Sequence, residues 1–170
     1  MREVADVGVT LKELDRVAAE VLSEHGATSA FLDYHPHFAP TPFPGVICAS
    51  VNDVIVHGIP GDQALQDGDL LSIDFGAILN GWVGDAAVSY IVGTPRPEDE
   101  RLIAHTAEAL QAGIDAAQPG SRLGDRLTGC WPGWPGGRHV TSRDVTPAKA
   151  AGHGRFTRVP AQPVARARCG

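Results

Sequence analysis

Leu70-Leu-Ser-Ile-Asp-Phe-Gly-Ala-Ile-Leu-Asn-Gly-Trp-Val-Gly-Asp-Ala-Ala-Val-Ser-Tyr90 is the stretch whose reading decides the fold. Asn80-Gly81 is a strong two-residue hairpin signal, because a type I′ turn needs positive φ at both central positions. Leu79 then pairs with Trp82, Asp74 falls opposite Ala87, and Asp85 falls opposite Gly76. Residues two apart on a strand share a face, so the two aspartates are diagonal neighbours on one face of the hairpin. Gly76 removes the side chain directly opposite Asp85, which is expected to leave room between the strands. The flanks are apolar (Leu70, Leu71, Ile73, Phe75, Val88, Ile91), so the hairpin is expected to be buried. Adjacent buried carboxylates repel and are costly unless a cation or a shared proton compensates them. A metal pair about 3.5–4 Å apart, bridged by such carboxylates, accounts for both. The plainer alternative is an aspartate that caps its own turn. Asp74 and Asp85 instead lie four or more residues from the turn, inside strands where Asp is disfavoured.

The rest of the chain frames this hairpin. Thr10-Leu-Lys-Glu13 is a capping box that opens a helix through Leu14, Val17, Ala18, Val21 and Leu22, ended by Gly26. A loop containing Pro36, Pro40, Pro42 and Pro44 leads to Val46–His57, which reads as two strands around Asn52-Asp53. Gly58-Ile-Pro60 and Asp67-Gly68 supply turns before the aspartate hairpin. Pro97 opens a second amphipathic helix through Leu102, Ile103, Leu110 and Ile114, ended at Pro119-Gly120. The order is that of an α+β fold with an antiparallel sheet backed by helices.

The 170 residues suit one domain, and 43% hydrophobic with 20% charged residues is ordinary for a globular protein. No apolar run is long enough to cross a membrane and no leader pattern opens the chain, so the expected setting is the cytosol. Cys48, Cys130 and Cys169 are odd in number and lack metal-motif spacing, so they read as reduced thiols. The net charge of −6 hides an asymmetry: residues 126–170 hold eight of the fourteen Lys and Arg but one of the twenty acids, Asp144. They also hold seven of the twenty glycines and five of the thirteen prolines, without helical or strand periodicity. The expected division is a domain over 1–125 and an Arg/Gly/Pro-rich disordered tail over 126–170.

Four runs, Gly8-Val-Thr-Leu-Lys-Glu-Leu-Asp15, Cys48-Ala-Ser-Val-Asn-Asp-Val-Ile-Val-His-Gly-Ile-Pro60, Asp67-Gly-Asp-Leu-Leu-Ser-Ile-Asp74 and Gly81-Trp-Val-Gly-Asp85, together resemble the type I methionine aminopeptidases, metallopeptidases of family M24. The resemblance spans about residues 7–125 and implies the N-terminal portion of a pita-bread fold, an antiparallel sheet backed by helices. By this resemblance Asp74 is a bidentate ligand of one metal and Asp85 bridges both, in a site holding two divalent ions of the Co, Mn, Fe, Zn or Ni type. His57 resembles the histidine that contacts substrate and stabilises the tetrahedral intermediate. Cys48 and Tyr34 resemble residues lining the substrate pocket, although the loop after Tyr34 is longer than the usual family version. The substrate implied is the N-terminal Met of nascent peptides, in the cytoplasm, with the ribosome as a possible neighbour and neither membrane nor DNA as partner.

Taken on its own residues, a His beside Gly-Ile-Pro is a turn-end residue bonded to backbone, and Cys48 is a small buried hydrophobe. His35 and His37, in His-Pro-His, have no acid or thiol partner close in sequence and read as exposed loop residues.

The family's centre also needs a histidine and two glutamates from the second half of the fold, and no Glu follows Asp125. Ala151-Gly-His-Gly-Arg155 resembles the segment bearing that histidine, which makes His153 a candidate ligand. The expectation is a domain truncated at both ends, with a tail read from a shifted frame. Such a chain is expected to bind metal weakly, to be a monomer or aggregation-prone, and to turn over little substrate. The competing reading is an inactive half-fold whose basic tail, with Trp131 and Trp134, contacts RNA or the ribosome.

Overall fold

The computed structural model describes residues 1–115 and 118–120. The expected boundary at Asp125, the tail over 126–170, His153, Trp131 and Trp134 lie outside the described residues. Six elements follow in order: α1 (Leu11–Glu24), β1 (Thr28–Ser29), β2 (Ile47–Val51), β3 (Leu70–Leu79), β4 (Trp82–Ile91) and α2 (Pro97–Asp115).

Helix α1 begins where its cap was expected. The Thr10 hydroxyl accepts a bond from the Glu13 N–H, satisfying a donor that the first turn leaves free. The helix ends before Gly26, which takes φ +65°. Leu11, Leu14, Ala18 and Leu22 lie on its buried face. Helix α2 starts at Pro97, where the missing N–H costs nothing.

The four strands form one antiparallel sheet, with β4 on one side of β3 and β2 and β1 on the other. Asn80 (φ 52°) and Gly81 (φ 81°) make the turn of the long hairpin. Its register is the expected one: Leu79 pairs with Trp82, Asp74 with Ala87, and Gly76 with Asp85. Alternation along the strands sorts the sheet into two faces. Ile47, Ala49, Val51, Leu71, Ile73 and Tyr90 join the α1 leucines in a single core. The opposite face carries Cys48, Ser50, Ser72, Asp74, Gly76, Asp85, Ala87 and Ser89, as the pairings require.

Two expectations change. Val46–His57 does not form two strands. Only Ile47–Val51 is extended in the sheet, and Asn52 (φ 52°), Val56 (φ 33°) and His57 (φ 53°) leave the β region. Asn52 is held elsewhere: its carboxamide donates to Asp69 at 2.8 Å and accepts from the Leu70 N–H at 3.0 Å, which ties this turn to the start of β3. Nor is the hairpin buried throughout. Strand β3 is buried or half-buried from Leu70 to Ile78, but every residue of β4 from Trp82 to Val88 is exposed. Helix α1 packs over β1 and β2, and β4 is the outer strand among the described residues.

Candidate metal centre

The polar face of the sheet brings three strands' side chains to one place. Cys48 on β2 stands opposite Asp74 on β3, and Asp85 on β4 is the diagonal neighbour of Asp74. Asp74 is half-buried, Asp85 is exposed, and the two carboxyls share a hydrogen bond. Burial first, then the hydrogen bond and charge of Asp85, push the Asp74 carboxyl up to about 7, opposed by a bond from the Phe75 N–H. The pair therefore holds a proton near neutrality when no cation is present.

Cys48 is buried, and its thiol is pushed up to about 12, by burial first and then by the charges of Asp74 and Asp85. Only the backbone N–H of His57 opposes this. The sulfur is thus a neutral thiol, closer to a small apolar side chain than to a nucleophile.

That contact locates the His57 segment. The Ala49 N–H donates to the Gly58 carbonyl at 2.9 Å, and the Gly58 N–H donates to the Ser50 hydroxyl at 3.2 Å. The backbone lies so close to β2 that a Cβ on Gly58 would sit 2.1 Å from the Ala49 oxygen. His57 is carried at the edge of this contact with its side chain exposed. Only its backbone is brought to Cys48.

Tyr34 is half-buried, in a loop closed by bonds from the Tyr34 N–H to the Phe31 carbonyl and from the Phe43 N–H to the Tyr34 carbonyl. His35 and His37 are exposed, as expected. A nitrogen of the His35 ring bonds the Ala39 carbonyl at 3.0 Å, and His37 packs edge-on against Phe38.

The room expected beside Gly76 is occupied. A Cβ there would come 2.7 Å from the Phe31 ring and 2.9 Å from Ala30. Phe31 thus sits on the same face as the carboxyl pair and walls one side of it. Sequence reasoning missed this residue, although a glycine inside a strand is a signal that another group approaches closely. Ser29 steers Phe31 there: its hydroxyl accepts from the Phe31 and Leu32 N–H groups at 3.0 Å and donates to the Val46 carbonyl.

Two hard carboxylate donors held together by the fold suit a divalent cation. They are a partial donor set: among the described residues no three of His, Cys, Asp and Glu converge. No helix among them is long and apolar enough to cross a membrane.

Comparison with known proteins agrees with this geometry. The model of metallopeptidase family M24 matches residues 1–128. Methionine aminopeptidase 1 of Mycobacterium tuberculosis is 48% identical over 126 residues, which are 74% of this chain and 45% of that protein. Methionine aminopeptidase 1 of Bacillus subtilis is 45% identical over 68% of this chain and 44% of its own length. The crystal structure of methionine aminopeptidase from Rickettsia prowazekii superposes with a TM-score of 0.70 at 36% identity, covering 75% of this chain and 49% of that one. The prolidase of Pyrococcus furiosus, at 21% identity and a TM-score of 0.63, shares the fold. The chain spans about half the length of the relatives it matches. Its described α+β architecture is the N-terminal portion of the pita-bread fold, and the chain belongs to metallopeptidase family M24.

Proposed function

We propose that residues 1–125 are one part of a methionine aminopeptidase catalytic domain, with Asp74 and Asp85 as two ligands of a dinuclear divalent-metal site. The observation that carries this reading is the Asp74–Asp85 contact beside Cys48, in a chain 48% identical to a methionine aminopeptidase. Divalent metal held by Asp74 and Asp85 would supply an activated water and polarise the substrate carbonyl. The chain's own residues do the rest. Asp74 and Asp85 give up the shared proton and fix the site. The neutral Cys48 thiol and the Phe31 ring offer an apolar wall for a methionine side chain. Tyr34 contributes to the same wall from its loop. The exposed His57 imidazole donates to the substrate carbonyl oxygen as negative charge develops there. The substrate is the N-terminal Met of a nascent peptide, in the cytoplasm. Residues 126–170 are a separate basic tail, and the match ending at residue 128 supports that division.

Among the described residues the donor set is these two carboxylates, and each ion needs several further ligands from an ordered shell. The chain by itself therefore binds divalent metal weakly and turns over little substrate. Calorimetric titration with Mn²⁺ and a Met-Ala-Ser hydrolysis assay test this. Weak binding lost in both Asp74→Asn and Asp85→Asn is the expected result. Binding unaffected by either substitution overturns the metal assignment, and rapid hydrolysis by the unmodified chain overturns the impairment.

A further inference from the structure

We infer that Ser50 is a positioning residue for His57, its hydroxyl latching the strained arm that carries the imidazole. The inference rests on the role proposed for His57 above and concerns what keeps that residue in place.

The arm, residues 52–58, is pinned at both ends. At its start the Asn52 N–H donates to the Leu70 carbonyl at 2.9 Å, and the Asn52 carboxamide bonds Asp69 and Leu70. At its end the Ala49 N–H donates to the Gly58 carbonyl, and the Gly58 N–H donates to Ser50 Oγ at 3.2 Å. Between these anchors Val56 and His57 take φ 33° and 53° in succession. Positive φ crowds a Cβ, and a branched one most of all, so Val56 persists there only under restraint. The anchors supply that restraint, and His57 is the residue next to the second of them.

Three consecutive residues of β2 make the second anchor. Cys48 receives the His57 N–H, Ala49 offers its backbone N–H, and Ser50 offers its hydroxyl. A thiol sulfur is a weak acceptor, so the hydroxyl is the strong side-chain contact. Ser50 is 6% exposed and Gly58 is buried, so without Ser50 Oγ the Gly58 N–H is a donor left in the interior without its acceptor. The cross-strand neighbour Ser72 differs: its hydroxyl accepts from Ser89 at 3.1 Å and ties β3 to β4. Ser50 serves the arm. When its hydroxyl is lost, the orphaned N–H and the strain at Val56 push in the same direction. The arm opens at Gly58 to admit water, and His57 moves with it.

Hydrogen exchange and the His57 ring resonance, assigned by its loss in His57→Gln, test this in the full chain by NMR. In Ser50→Ala the Gly58 amide should exchange at least about tenfold faster and the His57 ring resonance should shift. The Ile73 amide and the His35 ring should stay as they are. Ser50→Thr keeps the hydroxyl on a β-compatible side chain and should restore both readouts. Ser72→Ala should move neither. Val56→Asn replaces a branched residue with one that accepts positive φ, so Ser50→Ala should displace the His57 resonance less in that background. Should Ser50→Ala fail to fold, the unaltered chain carries the test, and its Gly58 amide should be protected. A Gly58 amide that exchanges as an open loop amide overturns the latch. So do an unmoved His57 resonance in Ser50→Ala, no rescue by Ser50→Thr, or faster exchange spread evenly over the sheet. An equal displacement in Val56→Asn overturns the strained arm. None of these readouts needs turnover, so they stand or fall separately from the aminopeptidase reading, which the hydrolysis assay tests.

Discussion

Asp74 and Asp85 share a hydrogen bond across the β3–β4 hairpin, as diagonal neighbours two residues apart in register, with the first half-buried and the second exposed. In metal-free protein that bond needs a proton on one of them. The Asp74 carboxyl is raised from 3.8 to about 7, so between those values the folded chain binds more protons than the unfolded one. The stability it contributes is complete below about pH 4 and lost as pH rises through 7. Thermal melts in chelator at pH 5 and pH 8 measure this. Asp74→Asn should abolish the pair's share of the difference. Asp85→Asn should only shrink it, because burial is the larger cause of the shift. An identical pH dependence in native chain and Asp74→Asn would refute the shared proton.

Gly58 is required by the close approach of its backbone to Ala49. Gly58→Ala sets a Cβ 2.1 Å from a backbone oxygen that cannot swing away. A loss of about 3 kcal/mol is expected on urea unfolding, at the upper end for overpacking. The displaced segment also withdraws the His57 N–H from Cys48, so the Cys48 amide resonance should move in a two-dimensional NMR spectrum. A stability within 0.5 kcal/mol of native would show that the contact is slack.

At Gly76 the neighbour is a ring edge, which can move. Gly76→Ala meets Phe31 at 2.7 Å and Ala30 at 2.9 Å, and about 1–2 kcal/mol of destabilisation is expected. In the Phe31→Ala background the cost of Gly76→Ala should fall by at least half. Strict additivity of the two substitutions would argue against their contact.

The buried hydroxyl of Tyr90 has no hydrogen-bond partner among the described residues, and burial raises its pKa to about 12. Tyr90→Phe removes an unsatisfied polar atom and keeps the ring in the core. A gain of about 1 kcal/mol in unfolding free energy is expected. A loss of that size would reveal a partner for the hydroxyl.

Local chemistry made much of this fold legible in the sequence. Asn80-Gly81 dictates its own turn, and a two-residue turn leaves one register, so the pairing of Asp74 with Ala87 followed from the chain alone. Thr10 and Pro97 place the starts of α1 and α2 because each satisfies or removes a donor within a few residues. The Val54–His57 arm misled because its β-branched residues favour extension, while Asn52 is captured by Asp69 and Leu70, far away along the chain.

The sequence by itself determined the hairpin, its register and the common face of the two aspartates, since these depend on contacts a few residues apart. Tertiary structure alone decided what surrounds them. It set Phe31 over Gly76, carried the His57 backbone to Cys48, and left residues 82–88 of β4 exposed beside a buried or half-buried β3. Those outcomes depend on which distant segments pack on the sheet and fill its space, and alternation along one strand carries no record of them.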